Sequence, residues 1–270
     1  MKDLVIVCLK ILALKLLTQV IQEVSILTIK LQNLIGVKMA YEFFNDGLFL
    51  FDEYTFTQLN NNETISGIYT LDVQVKDKIY QAKFAIMINI DIKNLLKVPE
   101  VYLPKIKIPF KFEHIYKDKN NLCCLGLNYE IQLAWGKNHT FFNFLTLILD
   151  PFLVNYLEYS ENRKYIDGDR PHAKNGLIDY YSQFFTSIPT NKIMDTLMYC
   201  YHKIKRNEFA KGNNLCPCGS GDIIRRCKHW EEIKTFINQT SQNKVLKSSF
   251  ENDIKNYLGD ENGKKTRKTI

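Results

Sequence analysis

Leu71, Val73 and Val75 alternate with Asp72 and Gln74, and after Asp77-Lys78 the residues Phe84, Ile86, Ile88 and Ile90 again fall on every second position. A period of two sends successive side chains to opposite faces of a strand, so this stretch predicts an antiparallel hairpin with one face on a core. Pro99, Pro104 and Pro109 then interrupt the apolar run VPEVYLPKIKIPF. Proline removes a ladder donor, which predicts an edge strand followed by an extended crossing. At Thr140 the period changes. FFNFLTLILDPFLVNYLEYSEN is apolar at helical spacing, with Pro151 as a kink or a new first turn. LIDYYSQFF continues as helix, Thr190 caps another through about Asn207, and an amphipathic helix closes the chain near 231–257. Upstream, Lys15, Thr18, Gln19, Gln22, Lys30 and Asn33 fall mainly on one face of residues 4–36, predicting a long amphipathic helix with a narrow polar stripe. Residues 41–60 are aromatic-rich around Asn-Asp-Gly and read as a hairpin or a broken helix. The fold class is α+β: an antiparallel sheet with an N-terminal helix and C-terminal helices.

Composition changes this picture little. The 270 residues suffice for one substantial core plus appendages, and 46% hydrophobic with 24% charged residues describes a globular chain. Net charge is +7, with a basic GKKTRKTI tail. That excess alone does not argue for a nucleic-acid partner, and no aromatic-plus-basic stacking platform accompanies it. The start, MKDLVIVCLKILALKLL, is broken by Lys10 and Lys15 and has no small-residue cleavage site. Its apolar run is shorter than the ~20 residues of a membrane span, so none is expected; Met39 offers a second start. Seven cysteines, an odd number without a secreted-type framework, point to a reducing compartment and a cytoplasmic location. No phosphate loop, no informative carboxylate pair and no Ser-His-Asp phrase is present.

Chemistry concentrates in two places. Residues 215–230, LCPCGSGDIIRRCKHW, set Cys216 and Cys218 one residue apart, then Cys227 and His229 one residue apart, with Gly-Ser-Gly between the pairs. Zinc takes four soft or borderline ligands tetrahedrally, and three thiolates with one imidazole supply them. Glycines let the backbone double back so that both pairs reach one ion, whose binding contributes folding energy to so small a module. The second place is HIYKDKNNLCCLGLNYE, where Cys123 and Cys124 follow a polar turn and precede Gly126. Thiols there are either small core hydrophobes or, where a loop meets structure, nucleophiles.

The intact CPCGSG phrase resembles the SEC-C motif, a small zinc module that in its family binds the metal and docks a protein partner. Lys228 separates His229 from Cys227, whereas the family's usual fourth ligand directly follows the third cysteine. Arg225, Arg226 and Lys228 would make the module's outer face basic. The order of helix, hairpin with SGIYTLDVQ, proline-broken strand, His-Ile-Tyr turn, cysteine and helices resembles divergent bacterial ubiquitin-conjugating-enzyme-like proteins over residues ~40–185. That resemblance implies a thiol that accepts a ubiquitin-like protein from its activating enzyme as a thioester and passes it to an amine. Reading Cys123-Cys124-Leu125-Gly126 as the family's phrase makes Cys124 the nucleophile; a frame one residue earlier makes it Cys123. His114 would orient the turn or assist the oxyanion. His172, in DRPHAKNG, matches a later histidine of the family or is an exposed loop residue. The family's His-Pro-Asn phrase is not intact, and Asn120 and Asn121 are the local amide donors. The domains expected are a helix over 1–38, a conjugating-enzyme-like domain over 39–210, the zinc module over 211–231, and a helix with basic tail over 232–270. A non-catalytic scaffold with structural cysteines is the competing reading.

Overall fold

The computed structural model describes residues 43–267 apart from 60–61, 92, 95, 110–111, 137–138, 167, 169–170, 172 and 209–211. The helix expected over 4–36 and the histidine at 172 lie outside the described residues. Among those described, the chain is α+β. A six-stranded antiparallel sheet is built from β1 (Phe51–Leu59), β2 (Asn62–Val75), β3 (Lys78–Asp91), β4 (Glu100–Tyr102), β5 (Ile115–Tyr116) and β6 (Leu122–Cys123). The strand order is β1-β2-β3-β4-β6-β5.

The period-two pattern becomes the β2–β3 hairpin, with Leu71 opposite Ala82 and Val75 opposite Lys78. Lys76 turns it in the left-handed region at φ 55°. Leu71, Phe84, Ile86, Ile88 and Ile90 are all buried on one face. The aromatic stretch is helical over 43–45, breaks at Asp46-Gly47, continues as a 3-10 turn at Leu48–Leu50 and then becomes β1, which pairs along β2 with a register shift between Phe51 and Glu53. Gly67 faces that irregularity. A Cβ there would lie 2.1 Å from the Glu53 carbonyl oxygen, so the close approach of β1 demands glycine. The proline-bounded strand differs from its expected edge position. β4 lies between β3 and β6, because Pro99 and Pro104 flank its three residues instead of interrupting them.

Helices α1 (Asn128–Trp135), α2 (Phe141–Phe144) and α3 (Asp150–Asn162) follow the sheet, with a π-helical turn at Leu145–Leu149 joining α2 to α3. Pro151 sits in the first turn of α3. Its missing N–H and bulky ring disfavour unbroken α-helical pairing, and the wider turn accommodates this. Phe141, Phe144, Leu149 and Leu153 pack on the sheet's buried face. Asp150, carried there by the wide turn, accepts a 2.6 Å hydrogen bond from the Tyr69 hydroxyl. Burial raises the Asp150 carboxyl to about 6 even though the Tyr69 bond works the other way.

A second apolar cluster joins α4 (Ala173–Ser182), α5 (Thr190–Arg206), α6 (Trp230–Gln242) and α7 (Lys244–Arg267). Pro189, not Thr190, is the N-cap of α5, and no side chain caps it. The closing helix is two, α6 and α7, divided at Asn243. Residues 127–129 bind the two halves together, since Tyr129 belongs to the second cluster while Ile131 and Trp135 belong to the first. No helix among the described residues is long and apolar enough to cross a membrane.

Candidate functional site

Strand register separates the two adjacent thiols. Ile115 pairs with Cys123 and Tyr116 with Leu122, and the Cys124 N–H donates to the His114 carbonyl at 2.8 Å. Ile115 and Cys123 therefore point inward together and are buried. His114 and Cys124 oppose each other across the ladder on the other face, and both are half-buried. Burial, and next the neighbouring Cys124, push the Cys123 thiol far above the ordinary thiol range, so it stays protonated. The register leaves Cys124 as the one of the pair open to solvent.

The surroundings of Cys124 follow from local backbone requirements. Asn120 and Asn121 both adopt left-handed backbone, at φ 54° and 60°, to reverse the chain between β5 and β6. The Asn121 side-chain amide donates to the Leu103 carbonyl at 3.1 Å, so it is engaged in holding the turn, and Asn120 is the exposed amide. The His114 ring packs edge-on to Phe112 at 5.6 Å and to Tyr165 at 5.3 Å. Beyond Cys124, Gly126 has φ 139°, and a Cβ there would crowd Glu130 Oε2 at 3.1 Å.

The second site gathers its cysteines. A bridge between Leu215 and Ile223 closes a tight loop, reinforced by the Cys216 N–H to the Asp222 carbonyl at 2.8 Å and the Ile224 N–H to the Asn214 carbonyl at 2.8 Å. Gly219 and Gly221 take positive φ, 78° and 83°, where a side chain is strained. Asn214 and Gly212 pair with 224–225 and so belong to the module. The result is that the sulfurs of Cys216, Cys218 and Cys227 all lie within 4.8 Å of one another, all three residues buried. Tetrahedral zinc thiolates, with Zn–S near ~2.3 Å, place sulfurs at about 3.8 Å, so this spacing suits one ion. Cys218 Sγ and Cys227 Sγ are 3.4 Å apart, and Ser220 Oγ is 3.5 Å from Cys227 Sγ. Burial raises the Cys216 thiol. Burial acts the same way on Cys227 but is outweighed by hydrogen bonds from Ser220, the His229 backbone and the other two thiols, which hold Cys227 below the usual thiol range. Cys227 is thereby favoured toward thiolate, the form that binds a metal.

His229 does not join the three sulfurs. Its Nδ1 lies 2.7 Å from Ser187 Oγ, in a loop whose Thr186 hydroxyl and Ser187 N–H both donate to Glu232. Arg225, Arg226 and Lys228 are exposed around the module. Cys200 of α5 is a further thiol at this site, fully buried, raised by burial and then by Cys216. Asp253 of α7 is a polar group the sequence pattern passed over. It is 3% exposed and accepts from the Asn128 N–H and Nδ2 at 2.8 and 2.9 Å, from the Tyr129 N–H at 3.1 Å and from the Tyr181 hydroxyl at 3.0 Å. The signal was an acid between Phe250 and Ile254 on the apolar face of a helix.

The chain matches no protein-family model, no curated protein and no solved structure.

Proposed function

We propose that this is a cysteine-dependent transferase of a ubiquitin-like modifier, with Cys124 as the acyl acceptor and a zinc-bound SEC-C-like module as a docking element for a protein partner. The observation that carries the reading is the register of β5 and β6, with Cys124 half-buried opposite His114 while Cys123 is sealed in the core. In this reading the Cys124 thiolate attacks the modifier's C-terminal carbonyl on the activating enzyme's thioester. The carbonyl collapses onto Cys124, the activating enzyme's thiolate departs and takes up a proton, and an amine then displaces Cys124 in the same manner. Asn120 and His114 are the nearby polar groups for the oxyanion. Zinc held by Cys216, Cys218 and Cys227 supplies folding energy to the module, and His229, two residues after Cys227, is the candidate for the fourth position.

The test is adduct trapping. Tagged Cys124→Ser protein expressed in its native host should carry an alkali-labile ester to a small protein, mapped by mass spectrometry to the substituted position. The wild-type adduct should be thiol-labile instead. Absence of both adducts would overturn the transfer reading and leave the non-catalytic scaffold. One observation favours that alternative: the metal module is packed into the helical layer through Cys216, Cys218 and Cys227 and leaves a basic rim exposed.

A further inference from the structure

We propose that Asp253 is a positioning residue for Cys124, acting through the first turn of α1; the role as a positioning residue for transfer rests on the reading of Cys124 given above. Leu127, the N-cap of α1, makes no side-chain cap bond, so the first N–H groups of the helix need partners from elsewhere. Asp253 provides them from 125 residues away, with Oδ1 taking the Asn128 N–H and Nδ2 and Oδ2 taking the Tyr129 N–H. The Tyr181 hydroxyl donates to the same Oδ2, fixing the carboxylate from a second helix.

The segment from Cys124 to Leu127 is therefore pinned at both ends. At one end the Cys124 N–H is bonded to the His114 carbonyl, and at the other the α1 turn is bonded to Asp253. Four residues have little slack between two such anchors, and Gly126 at φ 139° already uses a backbone conformation that other residues rarely adopt. Release of the Asp253 anchor frees the segment at its Leu127 end, and across so few residues that freedom reaches the side chain of Cys124. Cys123 is held by the sheet and by its burial, so it serves as an internal control in the same molecule.

The experiment compares full-length wild type, Asp253→Ala, Asp253→Asn and Asn128→Ala. Iodoacetamide labelling is quantified at Cys123 and Cys124 by peptide mass spectrometry, with amide exchange followed in the peptide holding Asn128 and Tyr129. Asp253→Ala should speed exchange of those amides by about tenfold or more. Cys124 should be alkylated several-fold faster, while Cys123 stays unlabelled and bound metal stays unchanged. Asp253→Asn keeps one carbonyl acceptor and should fall between wild type and Asp253→Ala. If Asp253→Ala does not fold, Asn128→Ala, which removes only the bond from Nδ2 and lies outside the core, should give the same response on a smaller scale. Faster amide exchange with an unchanged Cys124 rate would overturn the proposal and reduce Asp253 to a structural acid. Labelling reads the thiol whether or not a modifier is ever carried, so failed adduct trapping and failed positioning are separate results.

Discussion

Two cysteine sites in one chain show how backbone geometry decides what a thiol does. Cys123 and Cys124 are neighbours in sequence, yet a strand sends them to opposite faces and they end in different environments. Cys216 and Cys227 are eleven positions apart, yet a glycine-bearing turn brings their sulfurs within 4.8 Å of each other and of Cys218. The first arrangement isolates a single thiol near solvent. The second collects three where one ion can hold them. Proximity in sequence therefore says little until the local backbone period is known.

The three-cysteine cluster offers the largest test of this contrast. Purified protein should contain one zinc per chain, and Cys216→Ser with Cys218→Ser should contain none. Metal binding to such modules is worth roughly 10 kcal/mol. Its loss should expose the packing of α5, α6 and α7 to rapid hydrogen exchange, while the sheet's β2 and β3 amides remain protected. A double variant that is metal-free yet exchanges like wild type would remove the metal from the account.

Two buried carboxylates extend the comparison to the two halves of the molecule. Asp253 ties the helical layer to α1, whereas Asp150 lies in the sheet-packed body on Tyr69. Asp150 is raised from 3.8 unfolded to about 6 folded. A raised acid contributes its stability in full below pH 3.8 and loses it as the pH rises through 6. The loss amounts to about 3 kcal/mol at most. Asp150→Asn keeps an acceptor for Tyr69 and cannot ionise, so urea midpoints measured from pH 4 to 7 should fall less steeply with pH in the variant than in wild type. Parallel profiles would show that Asp150 does not titrate in this range.

The thiol pair sharpens the contrast at smaller energies. Cys123→Ser places a hydroxyl in a core site, costing about 1–3 kcal/mol in urea unfolding. Cys124→Ser should change stability by no more than about 0.5 kcal/mol, the usual range for a position away from the core. Equal costs at the two positions would contradict the register of β5 and β6.

Much of the fold was legible beforehand, for a physical reason. Phe84, Ile86, Ile88 and Ile90 alternate because one sheet face is dry, and that requirement is written residue by residue. The cysteine spacing and Gly-Ser-Gly were legible in the same way, because tight loop closure needs glycine at defined positions. The edge assignment of β4 failed because neighbouring strands are chosen by packing across the sheet, to which local proline signals are blind. His229 shows how much the fold adds to spacing. Sequence spacing set His229 beside Cys227, but the ring's partner in the fold is Ser187, forty-two residues upstream. For Asp253 the one local signal was an acid on an apolar helix face; its partners, Asn128, Tyr129 and Tyr181, could not be read because they lie far from it along the chain.

The sequence by itself determined the elements, the α+β class and which cysteines can meet in a tight turn, since these depend on periodicity and on local backbone freedom. Only the tertiary structure decided which of Cys123 and Cys124 faces solvent and what holds the segment after it. Strand register and long-range hydrogen bonds are settled by the burial of whole surfaces against one another, and no short stretch of residues encodes that balance.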